Sequence, residues 1–142
     1  MTESELQTQV ADYIRLRYPK VLFHSDFGSG IKLTMGQAIK QKRQNGGRRA
    51  WPDLFVAEPR APKKLIKREG WLPADIFGCG YHGLFLELKK EGTRLRKKNG
   101  DYASEHIKEQ SLLLRELGNR GYRAVFAVGF DEAKKIIDEY LR

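Results

Sequence analysis

Two apolar runs in this chain have carboxylates set into them. In "RRAWPDLFV", residues 48–56, Asp53 follows a proline; in "GLFLELKKE", residues 83–91, Glu87 stands two residues before Lys89. An unpaired buried carboxylate is costly, so a strand bound for a core ordinarily carries valine or isoleucine at such positions. Strand alternation sends Phe85, Glu87 and Lys89 to one face and Leu84, Leu86 and Leu88 to the other. Asp53 heads the strand expected to pair beside them. Two carboxylates converging from neighbouring strands make a hard, oxygen-rich site, suited to Mg²⁺ or Mn²⁺ rather than zinc. A lysine beside them can hold or polarise a water, or offset charge on a phosphate oxygen. Metal-assisted phosphodiester hydrolysis needs that set: an activated water, a Lewis acid and a positive group for the developing charge.

An isolated Glu-x-Lys tripeptide is short and common, and more often forms an ordinary salt bridge on an exposed sheet face. Here it lies inside an apolar run, follows a Pro-Asp at a strand start and is framed by a basic block. Gln110 shares its helical phase with Ala103, Ile107, Leu114 and Leu117, so a polar amide points along a mostly apolar face. It reads either as a tolerated polar edge or as part of the site. Glu5 stands at the edge of the apolar stripe of the first helix, where it either joins the site or merely complements the helix dipole.

The elements that must position these residues follow from periodicity and punctuation. Leu6, Val10, Tyr13, Ile14 and Arg17 cluster on one side of a helix over 3–18, closed by Pro19. Residues 21–25 form a short strand, and Thr34 caps a basic helix over 35–44. Strands follow at 53–57 and 83–90, separated by a long proline- and glycine-bearing excursion over 58–82. After the basic loop "EGTRLRKKNGDY", Ser104 caps a helix reaching about residue 117, ended by "GNRG". A buried strand covers 122–129, and Asp131 opens a last helix with Ala133, Ile136, Ile137, Tyr140 and Leu141 facing inwards. A helical crossover between the 83–90 and 122–129 strands implies a parallel pair, hence an α/β fold with a small mixed sheet.

At 142 residues the chain is expected to be one compact domain, 1–142, large enough to bury a core without disulfides. One cysteine, Cys79, fits a reducing compartment, and the N-terminus lacks the order of a signal peptide, so a soluble, cytoplasmic protein is expected. His24, His82 and His106 show no metal-ligand spacing. The net charge of +9 is concentrated: residues 40–98 hold 16 Lys/Arg against 6 Asp/Glu, a balance of +10, and the remainder balances at −1. Such a block is the electrostatic footprint of a polyphosphate partner, and nucleic acid suits it better than a membrane surface because it has no regular apolar face. Lys40, Lys42, Arg43, Arg48, Arg49, Lys63, Lys64, Arg94, Arg96, Lys97 and Lys98 are the expected phosphate contacts. Trp51, Trp71, Tyr81 and Tyr102 are aromatic candidates for base stacking, a use weighed against ordinary packing.

Glu5 and Gln9 on a first helix, "PD" at 52–53, "ELK" at 87–89 and Gln110 in "KEQ" resemble, in that order, the PD-(D/E)XK nuclease superfamily. Within it the chain is most similar to the VRR-NUC family of small phage and bacterial proteins, and the closing "LGNRGYRAVFAVGFDEA" looks like that family's strand and last helix. The residue before Pro-Asp departs from the family's usual Gly or Val, being Trp51. The resemblance implies a restriction-endonuclease-like αβββαβ core with a small mixed sheet flanked by helices. It implies that Asp53 and Glu87 bind Mg²⁺ or Mn²⁺ with the backbone carbonyl of Leu88, and that Lys89 positions or activates water. Glu5 would assist the metal site and Gln110 would orient the water or Lys89. It further implies a homodimeric DNA endonuclease acting on branched DNA, Holliday junctions especially. The alternatives are a restriction-type, flap or single-strand nuclease of the same fold, or a non-catalytic DNA-binding module.

Overall fold

The computed structural model describes residues 1–26, 32–48, 51–60 and 80–142. Their elements run α1 (Glu3–Arg17), β1 (Phe23–Ser25), α2 (Met35–Gln44), β2 (Leu54–Val56), β3 (Leu84–Lys89), α3 (Glu105–Asn119), β4 (Arg123–Val128) and α4 (Phe130–Leu141). The sheet order is β1-β2-β3-β4, with β1/β2 and β2/β3 antiparallel and β3/β4 parallel. This is the small mixed α/β sheet expected from the sequence, including the parallel pair joined through α3.

Local chemistry sets most of the boundaries. Thr2 and Glu5 close a capping box at the start of α1, and Thr34 and Gln37 close another at the start of α2. The Ser104 hydroxyl accepts the amide of Ile107 at the head of α3. β1 is shorter than the 21–25 run because the Val21 amide still bonds back to the Tyr18 carbonyl. The last helix opens at Phe130, one residue before Asp131, from a Gly129 whose φ of 83° lies in the left-handed region.

One face of the sheet carries the core. Leu54 and Val56 of β2, Leu84, Leu86 and Leu88 of β3 and Ala127 of β4 pack with Leu6, Val10 and Ile14 of α1 and Ala133, Ile137 and Leu141 of α4. The two helices are fastened to each other by Asp138, whose Oδ1 accepts the hydroxyls of Tyr13 at 2.6 Å and Tyr18 at 2.5 Å. Lys134 and Arg142 approach its other oxygen at 4.0 and 3.6 Å. Burial alone would raise the Asp138 carboxyl, but the two hydroxyls and two cations outweigh it and hold the group below its usual value. Burial and the same bond push Tyr13 up to about 12.

A carboxyl lowered on folding stabilises the protein above the unfolded carboxyl range and loses that stabilisation as pH falls through its folded value. Hydrogen bonds to a charged group are worth about 1.5–3 kcal/mol, so Asp138→Asn should lower unfolding stability by an amount of that order at pH 7. The difference between variant and wild type should shrink below about pH 4, near the unfolded aspartate value. Denaturant titrations at pH 7 and pH 3 measure both.

Candidate active site

The long excursion between the two motif strands does not keep them apart. Leu54 pairs with Leu86, Phe55 with Phe85 and Val56 with Leu84. One further step along that antiparallel ladder sets Asp53 opposite Glu87. The regular ladder stops there, and the Asp53 side chain takes over: its Oδ2 accepts the backbone amide of Leu88 at 2.8 Å. In a strand a residue's N–H and C=O face the same neighbour, so the Leu88 carbonyl is directed to the Asp53 side as well.

Glu87 is 3% exposed and Lys89 6%. Across the face, Gln110 on α3 donates from Nε2 to Glu87 Oε1 at 2.8 Å. The other carboxylate oxygen of Glu87 and the Oε1 of Gln110 are buried without a hydrogen-bond partner. Burial, then the charge of Asp53, push the Glu87 carboxyl up to about 10, with Lys89 pulling the other way and Glu3 adding to the rise. A cation placed between Glu87 and Asp53 would offset both the burial and the repulsion. Among the described residues the Lys89 ammonium makes no ion pair within 4 Å.

A hard divalent ion fits this donor set. Asp53 and Glu87 provide two carboxylates, Leu88 a carbonyl, and the unpartnered Oε2 of Glu87 an acceptor that lacks any donor from the chain. Among the described residues no three His, Cys, Asp or Glu side chains are grouped to form a complete cage. Two carboxylates and a carbonyl suit a hard divalent ion that completes its shell with waters and substrate phosphate.

Four of the five predicted site side chains, Asp53, Glu87, Lys89 and Gln110, thus converge; Glu5 does not. Its carboxylate is exposed and accepts the Thr2 amide at 2.7 Å in the capping box. The α1 residues that do face the site lie two positions earlier in phase. Glu3 is half-buried and its charge is felt at Glu87. Gln7 is buried and its Nε2 donates to the Ser25 hydroxyl and the Asp26 carbonyl at 2.6 Å, with the Asp53 carbonyl at 3.4 Å. Glu3 and Gln7 share with Glu5 and Gln9 the same one-turn spacing. The Thr-x-x-Glu box was the available signal that Glu5 was already engaged.

The basic residues divide similarly. Lys40, Lys42, Arg43, Arg94, Lys97 and Lys98 are exposed as expected of phosphate contacts. Arg48 pairs with Glu116 of α3 at 2.6 Å. Arg96 is built into its own loop: its guanidinium lies 4.3 Å over the Tyr102 ring and donates to the Gly100 carbonyl at 2.8 Å. It thereby braces the loop that presents Lys97 and Lys98, and is itself exposed like them. Arg49, Lys63 and Lys64, like Trp71 and Cys79, lie outside the described residues. His82 packs against Gly121 and the Tyr122 ring, in keeping with a structural role.

No protein-family model and no curated protein matches the chain. Among solved structures, a VRR_NUC domain protein superposes with a TM-score of 0.61 at 26% identity, over 99% of this chain and 88% of that one. Another, a VRR_NUC domain, is 22% identical over 99% of both chains with a TM-score of 0.43. The first of these, taken with the Pro-Asp, Glu-Leu-Lys and glutamine residues now seen to meet on one sheet face, supports assignment of the chain to the VRR-NUC family.

Proposed function

We propose that this chain is a metal-dependent DNA endonuclease of the structure-selective kind, hydrolysing phosphodiester bonds in branched DNA as a homodimer. The observation that carries this reading is the buried Asp53–Glu87 pair, with one Glu87 oxygen lacking a partner and Lys89 on the same face. A carboxyl pushed up to about 10 by burial and a second carboxylate is the kind of perturbed group that gathers at functional sites. Mg²⁺ or Mn²⁺ held by Asp53, Glu87 and the Leu88 carbonyl would supply Lewis acidity and a water of lowered pKa.

The chain's own groups supply the rest. Gln110 fixes Glu87 through Oε1 and leaves its Oε2 free for a ligand. Gln7 anchors the backbone around Asp53, so the carboxylate enters from a fixed strand end. Lys89 holds a positive charge in a poorly solvated place, where it counts for more against a phosphate oxygen than it would in water. The exposed cations of α2 and of the 94–98 loop provide phosphate contacts around the site. Paired incision of a four-way junction requires two sites, and one chain carries one, which is the physical argument for a dimer.

The proposal is tested by cleavage of a synthetic four-way junction beside flap and linear duplex DNA, with the size of the free protein measured in solution. Glu87→Ala or Lys89→Ala should reduce Mg²⁺-dependent cleavage by at least about a hundredfold while leaving DNA binding in a mobility-shift assay largely intact. Full activity in both variants would refute the mechanism, and binding without cleavage in either Mg²⁺ or Mn²⁺ would favour a non-catalytic module.

Metal binding has a readout that needs no substrate. At a hundredfold excess over Kd, Mn²⁺ should stabilise wild type by about 2.7 kcal/mol in thermal or chemical unfolding. Glu87→Gln should lose that gain. A carboxyl raised on folding stabilises below its unfolded range and loses that stabilisation as pH climbs towards its folded value, here about 10. Metal-free wild type should therefore weaken between about pH 5 and pH 9, beginning near the unfolded glutamate value, with a slope that Glu87→Gln reduces.

A further inference from the structure

Among the described Phe, Tyr and Trp residues, Trp51 is the one in the exposed class, at 38%. Large aromatics usually lose their exposure in the core, and an indole left partly in water invites explanation. This one is not loose. Its Nε1–H donates to the Asn45 carbonyl at 2.9 Å, which fixes the ring at the end of α2. Its inner side rests on Phe85, with ring centroids 6.4 Å apart and the planes tilted by 50°. Phe85 is itself stacked on Phe55 at 4.4 Å and met edge-on by Tyr122 at 5.1 Å. The indole is thus a fixed plate on an aromatic base, with part of its surface turned outward.

Its position ties it to the chemistry. Trp51 stands two residues before Asp53, and Phe85, which supports it, stands two residues before Glu87 on the same strand face. Two residues of strand span about 6.6 Å. The plate therefore lies on the same strand face as Glu87, about two residues of strand from it. The charge beside it is of the matching sign: residues 32–48 hold five Lys/Arg and no Asp/Glu. A recess of about 600 Å³ runs along α2, edged by Met35, Ile39, Lys42, Arg43 and Arg48.

We propose that Trp51 is a stacking platform for an unpaired nucleobase of the DNA substrate, seating that base so that the adjoining phosphate is directed to Asp53 and Glu87. The inference rests on the DNA endonuclease reading above and extends it to the way the substrate is chosen. A paired base presents its faces to its neighbours in the duplex and has none to offer an indole. A nucleotide at a flap, gap or branch point has one. Stacking on an aromatic side chain is tolerant of base identity, so selection would be by DNA structure rather than by sequence. The α2 cations would hold the backbone of the same strand.

Trp71→Phe leaves Trp51 as the sole tryptophan of the full-length chain. In EDTA, to prevent cleavage, titration with a short oligothymidine should quench its emission, and a fully paired duplex should quench it much less. Stacking of one base is worth about 1–3 kcal/mol, so Trp51→Leu should weaken binding of a duplex bearing a single-stranded flap by about tenfold or more. The same variant should bind fully paired duplex as wild type does, and Trp51→Phe should recover most of the flap affinity. Leucine keeps apolar cover over Phe85, and unchanged duplex binding shows that the variant is folded. Emission that stays constant while a mobility shift shows DNA bound would overturn the proposal. Equal loss on flap and duplex, or a phenylalanine variant as weak as leucine, would overturn it too. Emission that responds to protein concentration and not to DNA would instead make this face an interface between copies of the chain. Absence of any DNA binding in the mobility shift would refute the endonuclease reading itself, and the platform with it.

Discussion

Two carboxylates on adjacent strands repel each other inside a poorly solvated sheet face, and the architecture is organised around containing that repulsion. Asp53 is restrained by the Leu88 amide and Glu87 by the Gln110 amide, each bond taking one oxygen of its carboxylate. Neither donor carries a full charge, so the pair is oriented without being neutralised. That leaves the electrostatic cost to be met by something from outside the chain, and Glu87 responds by holding its proton far above the usual range. A lysine in direct contact would have cancelled the charge and closed the site. Lys89 is near enough to be felt by Glu87 yet forms no ion pair with it.

The buried charges themselves contribute no hydrophobic stabilisation, and the opposite side of β3 compensates. Every residue of β3 that points away from the site is leucine, and Leu84, Leu86 and Leu88 are at most 1% exposed. At roughly 1.5–3 kcal/mol for each fully buried side chain, that one strand's inner face offsets much of the expense of its outer one. The helices follow the same division. α1 and α4 cover the leucine face and are joined by Tyr13, Tyr18 and Asp138, remote from the chemistry. α3 spans the other face and supplies Gln110. α1 alone serves both, because Gln7 sits at the end of its apolar stripe and reaches the backbone of Asp53.

Much of this could be read from the residues, and the failures have identifiable causes. Period-two alternation separated Glu87 and Lys89 from the leucines, and helical phase singled out Gln110, because both are consequences of regular geometry. Glu5 was misplaced because one-turn spacing alone does not fix phase. Two Glu-x-x-x-Gln pairs overlap in the first helix, and only Glu3 and Gln7 share the side taken by Leu6, Val10 and Ile14. The packing of Arg96 on Tyr102 is not legible in the sequence, because the partner lies six residues on, across an irregular turn with no periodicity to reveal it. The fixed orientation of Trp51 depends on a backbone carbonyl, and no side-chain pattern encodes that.

The pairing of β2 with β3 was the step that sequence could least guarantee, since a long excursion separates them. Its cost is smaller than its length suggests, because loop-closure entropy grows only logarithmically, about 0.6 kcal/mol for each doubling. What matters more is that the loop should not disturb the register near the site. The excursion is clamped at its base by the Arg60–Tyr81 bridge, with amide-to-carbonyl distances of 3.0 and 2.6 Å. Between the Val56–Leu84 pair and that bridge, one strand advances four residues and the other three, so one residue is absorbed as a local irregularity. Gly83 lies on the shorter side, where a Cβ would come within 2.6 Å of the Phe55 ring and 2.8 Å of the Val56 carbonyl. A side chain there would force the strands apart at the loop end of a ladder only three residue pairs long. Because a shift of one residue would turn Glu87 and Lys89 to the leucine face, the glycine protects the register on which the opposition of Asp53 and Glu87 depends.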